Sequence, residues 1–149
     1  MLDSLKEGIV LIDKPQGWTS HDVVAKVRRI SGVKRVGHAG TLDPLATGLL
    51  IVLIGREFTK RQDEFMKQEK EYVVTGQLGV TTDTYDSEGM TTDRQPWSAV
   101  KEINQEQLEH ALTQFQGEIE QQVPAFSAVK VKGKKLYEVA PQASKHQTE

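Results

Sequence analysis

An α/β fold in which strands and helices alternate is what this sequence predicts, and three observations carry that reading. Gly8-Ile9-Val10-Leu11-Ile12-Asp13 and Leu49-Leu50-Ile51-Val52-Leu53-Ile54 are short apolar runs bounded by turn residues, the pattern of buried strands. Between them Val23, Val24, Val27 and Ile30 recur at helical spacing, so a helix with one apolar stripe links the two. Hydrophobic residues make up 37% and charged residues 27% of 149 residues, enough apolar material for one domain with a core of its own.

The elements follow in order. Lys14-Pro15-Gln16-Gly17 ends the first strand in a turn, and Thr19 or Ser20 caps the helix. Asp22 suits its first turn, Arg28 and Arg29 its last, and Gly32 its end. Gly37 to Gly48 reads as an irregular loop, followed by Leu49–Ile54 as a strand buried on both faces. Thr59 to about Lys67 is a short helix anchored by Phe58, Phe65 and Met66. Tyr72 to Val80 reads as a strand and Asp83 to Gly89 as the turn-rich loop after it. Asn104 caps a second helix with Leu108, Ala111, Leu112 and Phe115 on one face and Gly117 as its stop. Ala128 to Leu136 alternates and then turns, a hairpin or strand-to-helix signal, and Pro141 to Glu149 reads as a loose polar tail.

Composition excludes several classes of chemistry. There is no cysteine, hence no disulfide framework, no thiolate nucleophile and no cysteine-based zinc site. His21, His38, His110 and His146 include no pair at the i, i+4 spacing of a helical metal site, so no metal is expected. No apolar run approaches the roughly 18 residues that span a bilayer. The first residues lack the basic-then-apolar order of a signal peptide, so a cytoplasmic protein with no membrane partner is expected. Net charge is −2 but unevenly spread. Residues 1–70 hold 12 basic and 9 acidic residues, residues 71–123 hold 2 and 10, and residues 124–149 hold 5 and 2. Two basic segments around an acidic one would give either a positive face for phosphates or ordinary solvated charge.

The candidate for chemistry is Asp43, set in Gly37-His38-Ala39-Gly40-Thr41-Leu42-Asp43-Pro44-Leu45-Ala46-Thr47-Gly48. Three glycines and a proline prescribe a constrained backbone, and the apolar neighbours would partly desolvate the carboxylate. Asp before Pro is also ordinary turn chemistry, so spacing leaves both readings open.

Several pieces, in order along the chain, resemble the N-terminal part of the TruB-type tRNA pseudouridine synthases. They are Gly8 to Ser20 with its Lys14-Pro15-Gln16-Gly17, the Gly37 to Gly48 loop, Lys70-Glu71-Tyr72, Leu78-Gly79 with Thr82-Asp83-Thr84-Tyr85-Asp86, and Val123 to Lys130 with Gly133 to Glu138. The resemblance covers about residues 8–140. It implies a pseudouridine synthase fold, a mixed and mostly antiparallel sheet flanked by helices, incomplete in this chain. It further implies that the T-loop uridine (position 55) of tRNA is isomerised to pseudouridine, with no cofactor, the T-arm as partner and a monomeric protein.

The roles it assigns are residue by residue. Asp43 matches the catalytic carboxylate, as nucleophile on the sugar or as base. Tyr72 matches the tyrosine that stacks on the target base, against the alternative of a packed strand tyrosine. His38 matches the histidine that enters the T-loop, and Asp86 an acid of the network around the catalytic carboxylate, against a turn-capping Asp. Lys14 and Lys130, with Lys132, Lys134 and Lys135, are candidate phosphate contacts or plain surface. The family continues into a Tyr-x-Arg segment whose arginine pairs with the catalytic carboxylate, and usually into a small RNA-binding domain. Pro141 to Glu149 departs from that pattern, so a truncated chain is expected. A catalytically silent RNA-binding fragment is therefore the competing function. A glycosidase-like enzyme would instead need a second acid about 5 to 9.5 Å from Asp43, a place Asp86 could take.

Overall fold

The computed structural model describes residues 6–121 together with the backbones of 130–131 and 134–135. These fall into two compact units that divide after Val73. Among the described residues no helix is long and apolar enough to cross a membrane.

The first unit is one sheet with a helix on it. Strands β1 (Gly8–Lys14), β2 (Val36–Ala39) and β3 (Gly48–Ile54) form an antiparallel sheet in the order β1-β3-β2. Val10 pairs with Val52, Ile12 with Leu50 and Lys14 with Gly48, while His38 pairs with Val52 from the other side. The period-2 alternation then sends Val10, Ile12, Leu50, Val52 and Ile54 to one face, where they meet Val23, Val24 and Val27 of helix α1 (Ser20–Ser31).

Helix α1 is bounded as its sequence predicts. The Thr19 hydroxyl accepts from the Asp22 N–H and the Asp22 carboxylate accepts from the Thr19 N–H, a reciprocal capping box. Gly32 ends the helix, its N–H donating to the Arg28 carbonyl at 3.1 Å. After β3 come two short helices, α2 (Arg56–Thr59) and α3 (Gln62–Met66), where one was expected.

The second unit contains a hairpin of β4 (Val80–Thr82) and β5 (Thr91–Arg94), then α4 (Trp97–Val100), α5 (Gln105–Leu112) and a 3₁₀ turn over Thr113–Phe115. Asn104 caps α5 through a capping box with Gln107. Lys130–Val131 (β6) pairs with Lys134–Lys135 (β7), so the hairpin reading of that segment holds for its backbone. The tail expected over 141–149 lies outside the described residues.

Four expectations are corrected. Residues 37–39 belong to β2 and not to a loop, because the β3 edge supplies them with ladder hydrogen bonds. Tyr72 to Gln77 is not a strand: no described strand pairs with it, and Val73 and Val74 are 96% and 82% exposed. Strand β3 is buried on both faces only at its C-terminal end, since Leu53 and Ile54 are sealed while Leu49 lies open at 63%. Helix α5 stops at Leu112, so Phe115 lies in the 3₁₀ turn after it, and Leu108, Leu112 and Phe115 are exposed, covered by no described element.

Candidate functional site: the Asp43 loop

Asp43 sits in the connection from β2 to β3, and the chain enters and leaves that connection through glycines with left-handed φ, +93° at Gly40 and +107° at Gly48. Any other residue at either place would strain the backbone. Between them Leu42 packs against the core cluster, and Ala46 N–H donates to the Asp43 carbonyl at 3.1 Å, closing a turn.

The peptide groups on both sides of Asp43 are held by the turn and helix start that follow β1. On the N-terminal side the buried Ser20 hydroxyl accepts from Leu42 N–H at 2.9 Å and lies 3.1 Å from the Leu42 carbonyl, to which it donates. On the C-terminal side the Pro44 carbonyl accepts from Gly17 N–H at 2.8 Å and from the Lys14 ammonium at 3.4 Å. Lys14 follows Val10 and Ile12 on the inner face of β1 and is fully buried. Its ammonium donates to the carbonyls of Trp18 at 2.7 Å, Pro15 at 3.1 Å and Pro44. Its three protons are thus matched by three backbone oxygens, which satisfies a buried cation without a carboxylate.

This arrangement corrects the reading of Lys14 as a phosphate contact. A cation with no exposed surface, its donors committed to carbonyls, ties the β1–α1 turn to the Asp43 loop instead. Asp43 itself is exposed, so its apolar sequence neighbours do not shelter it as expected: Leu42 turns to the core, Pro44 is itself exposed, and the carboxylate is left in solvent. Among the described residues the Asp43 carboxylate has no hydrogen bond or ion pair. A rigidly held backbone presenting an unpaired carboxylate is suited to act on a ligand from outside the protein.

His38 lies half-buried on β2, its Nδ1 2.5 Å from the Gly40 carbonyl. A carbonyl only accepts, so Nδ1 carries the proton in this contact and Nε2 remains available as an acceptor. Tyr72 stands in the irregular segment after α3 with its side chain 62% exposed, an open aromatic face.

Asp86 and Lys130 belong to the second unit. The Asp86 carboxylate accepts from the Thr84 hydroxyl at 2.6 Å and from the Glu88 and Gly89 N–H groups at 2.9 and 3.2 Å. The Thr84 bond above all holds its carboxyl below the usual carboxylate range; burial opposes it next, and the Glu88 and Gly89 N–H bonds add smaller downward effects. Of Lys130 only the strand backbone is described, and Lys132 and most of Val123 to Glu138 lie outside the described residues. Among the described residues no three His, Asp or Glu side chains are grouped to hold a metal ion.

Sequence reasoning singled out Asp43 and His38, the latter as a loop residue, but missed Gly17 and Ser20 as the clamps. The signal was present in Gly17-Trp18-Thr19-Ser20, where a glycine turn and two hydroxyls stand side by side although a helix start needs only one cap.

Comparison with known proteins gives the site its setting. Residues 28–149 match the family model for the TruB family pseudouridylate synthase (N terminal domain). The tRNA pseudouridine synthase B of Chlamydia felis is 49% identical over 138 residues, covering 93% of this chain and 57% of that protein. That of Chlamydia abortus is 51% identical over 136 residues, covering 91% and 56%. That of Solibacter usitatus is 48% identical over 134 residues, covering 90% and 44%. The chain spans about half the length of the curated relatives it matches.

Proposed function

The chain belongs to the TruB family of pseudouridylate synthases, and on that premise we propose that residues 1–140 are the N-terminal portion of a catalytic domain that isomerises the T-loop uridine at position 55 of tRNA. Residues 141–149 are a divergent polar tail in this reading. Relatives at about half identity, named for pseudouridine synthesis on tRNA, support the reaction class and the substrate. The observation that carries the assignment to a residue is the exposed carboxylate of Asp43 on a loop whose flanking peptides are clamped by Ser20, Gly17 and Lys14.

In this reaction the N1–C1′ glycosidic bond breaks and a C5–C1′ bond forms. The C5 proton goes to solvent and N1 takes one up, so the product is an isomer and no electrons are exchanged. Asp43 attacks C1′ or removes a proton, and in either role it must be ionised and correctly placed. The nucleotide has to leave its stack to reach a carboxylate fixed on a loop. Tyr72 offers an aromatic face for the extruded base, and His38 offers its Nε2 to the RNA beside the loop. Asp86, whose carboxylate orders its own loop, and Lys130 are the remaining RNA-binding residues in this reading. The protein works as a cytoplasmic monomer.

A second reading, a silent RNA-binding fragment, draws on one observation: among the described residues no cation pairs with Asp43. Tritium release separates the two. A T-arm stem-loop carrying [5-³H]uridine at the target position should release its label in step with pseudouridine formation. RNA bound tightly with no release would establish the second reading and overturn the first for this chain.

A further inference from the structure

Helix α1 buries Val23, Val24 and Val27 and turns Asp22, Ala25, Lys26 and Arg29 outward. With Gly17 and Trp18 these four residues line an open cavity of about 550 Å³. Its composition is unusual for a helix surface, with one indole at 40% exposure and two cations one helical turn apart. Among the described residues neither Lys26 nor Arg29 has an acidic partner within ion-pair distance. The one acid present, Asp22, is committed to the helix start, accepting from Thr19 N–H at 2.9 Å and the Thr19 hydroxyl at 2.6 Å.

The cavity is continuous with the catalytic loop through the backbone. Gly17 donates to the Pro44 carbonyl, and the Trp18 carbonyl shares the Lys14 ammonium with Pro44. Gly17 and Trp18, which line the cavity, are thus tied through their backbones to the loop that carries Asp43.

We propose that the Gly17–Trp18/Lys26/Arg29 groove is a second RNA subsite, which takes one nucleotide other than the one that reacts, its base on the Trp18 indole and its phosphate between Lys26 and Arg29. It rests on the reading of RNA as substrate. Stacking on an indole is indifferent to base identity, and a phosphate held by two cations adds salt dependence, so the subsite contributes affinity and orientation and no sequence preference.

The test uses the full chain and a T-arm stem-loop RNA. The chain has two tryptophans, so a Trp97→Phe background leaves Trp18 as the sole indole reporter. RNA should quench Trp18 fluorescence. Lys26→Gln combined with Arg29→Gln should weaken binding about tenfold and lower the slope of log affinity against log salt by about 1. Trp18→Leu should weaken binding about tenfold, and Trp18→Phe should restore most of it, as expected for lost stacking. Circular dichroism melts verify folding, since these side chains are exposed. An unquenched Trp18, or affinity and salt slope unchanged in the double variant while wild-type chain binds and isomerises the RNA, overturns the subsite and leaves the proposed function standing. A wild-type chain that binds no RNA overturns both. Equal quenching by polyglutamate also overturns the subsite, marking the groove as one for acidic polymers.

Discussion

The two units of the chain use the same local devices to different effect. Both hold a helix with a reciprocal capping box, Thr19 with Asp22 in α1 and Asn104 with Gln107 in α5, and both hold an aspartate in a turn between antiparallel strands. Yet all nine buried hydrophobic side chains among the described residues lie between Val23 and Ile54. In the second unit Trp97, Leu112 and Phe115 stand open. Caps and turns form from neighbours in sequence, whereas burial needs a second element with a matching face. The aspartates divide along the same line. Asp86 spends its carboxylate on holding its own loop, while the Asp43 loop is held by Lys14, Gly17 and Ser20 and its carboxylate is left over.

The largest expected effect tests where stability resides. Leu50→Ala, at a side chain 1% exposed, should cost about 3 kcal/mol of unfolding free energy in urea titrations. Leu112→Ala, half exposed, should cost less than about 1 kcal/mol in the same assay. Equal costs would erase the contrast between the units.

Lys14→Met comes next. It keeps the apolar stem and leaves the carbonyls of Pro15, Trp18 and Pro44 without their shared donor, so destabilisation of about 2 to 3 kcal/mol is expected. Hydrogen exchange at Leu42 and Ala46 should accelerate by more than the global loss explains. Exchange that rises only in proportion would show that Lys14 supports the sheet and not the loop.

Cap removal gives a smaller effect. Thr19→Ala should lower global stability by about 1 kcal/mol, because α1 is packed on the core. Asn104→Ala should reduce helical circular dichroism without moving the main unfolding transition.

The smallest effect is a pH dependence at Asp86. Its folded carboxyl is held below the ordinary value of 3.8, so the loop's stabilisation is complete above that value and is lost as pH falls through the depressed one. The Glu88 and Gly89 amide resonances should therefore move below about pH 4. Asp86→Asn should abolish that movement, and a titration centred at or above the ordinary value would contradict the hydrogen-bonding seen here.

Where structure is set locally, the residues announce it: Thr19 and Gly32 bound α1, Asn104 starts α5, and the runs at Gly8 and Leu49 are strands. Strand β2 was hidden because Gly-His-Ala has little strand preference of its own and is drawn into the sheet by the β3 edge. Tyr72 to Gln77 misled for the converse reason, strand-forming residues with no described partner edge. Lys14 was misplaced because lysine is rarely buried, and its parity with Val10 and Ile12 was the one clue that it faces inward. At the site, the glycines and proline singled out the carboxylate and only the family resemblance set it apart from ordinary turn chemistry, while the clamp was not read, since its donors lie more than twenty residues away in sequence.

The central claim is that Asp43 serves a reaction and not the fold. Tritium release from [5-³H]uridine T-arm RNA, measured for the chain and for Asp43→Asn with unfolding curves for both, tests it most directly. The exposed, unpaired carboxylate predicts a stability change within about 0.5 kcal/mol and a fall in release of at least about a thousandfold. Release by Asp43→Asn within about threefold of the unaltered chain, far short of what loss of an essential general base or nucleophile produces, would contradict it.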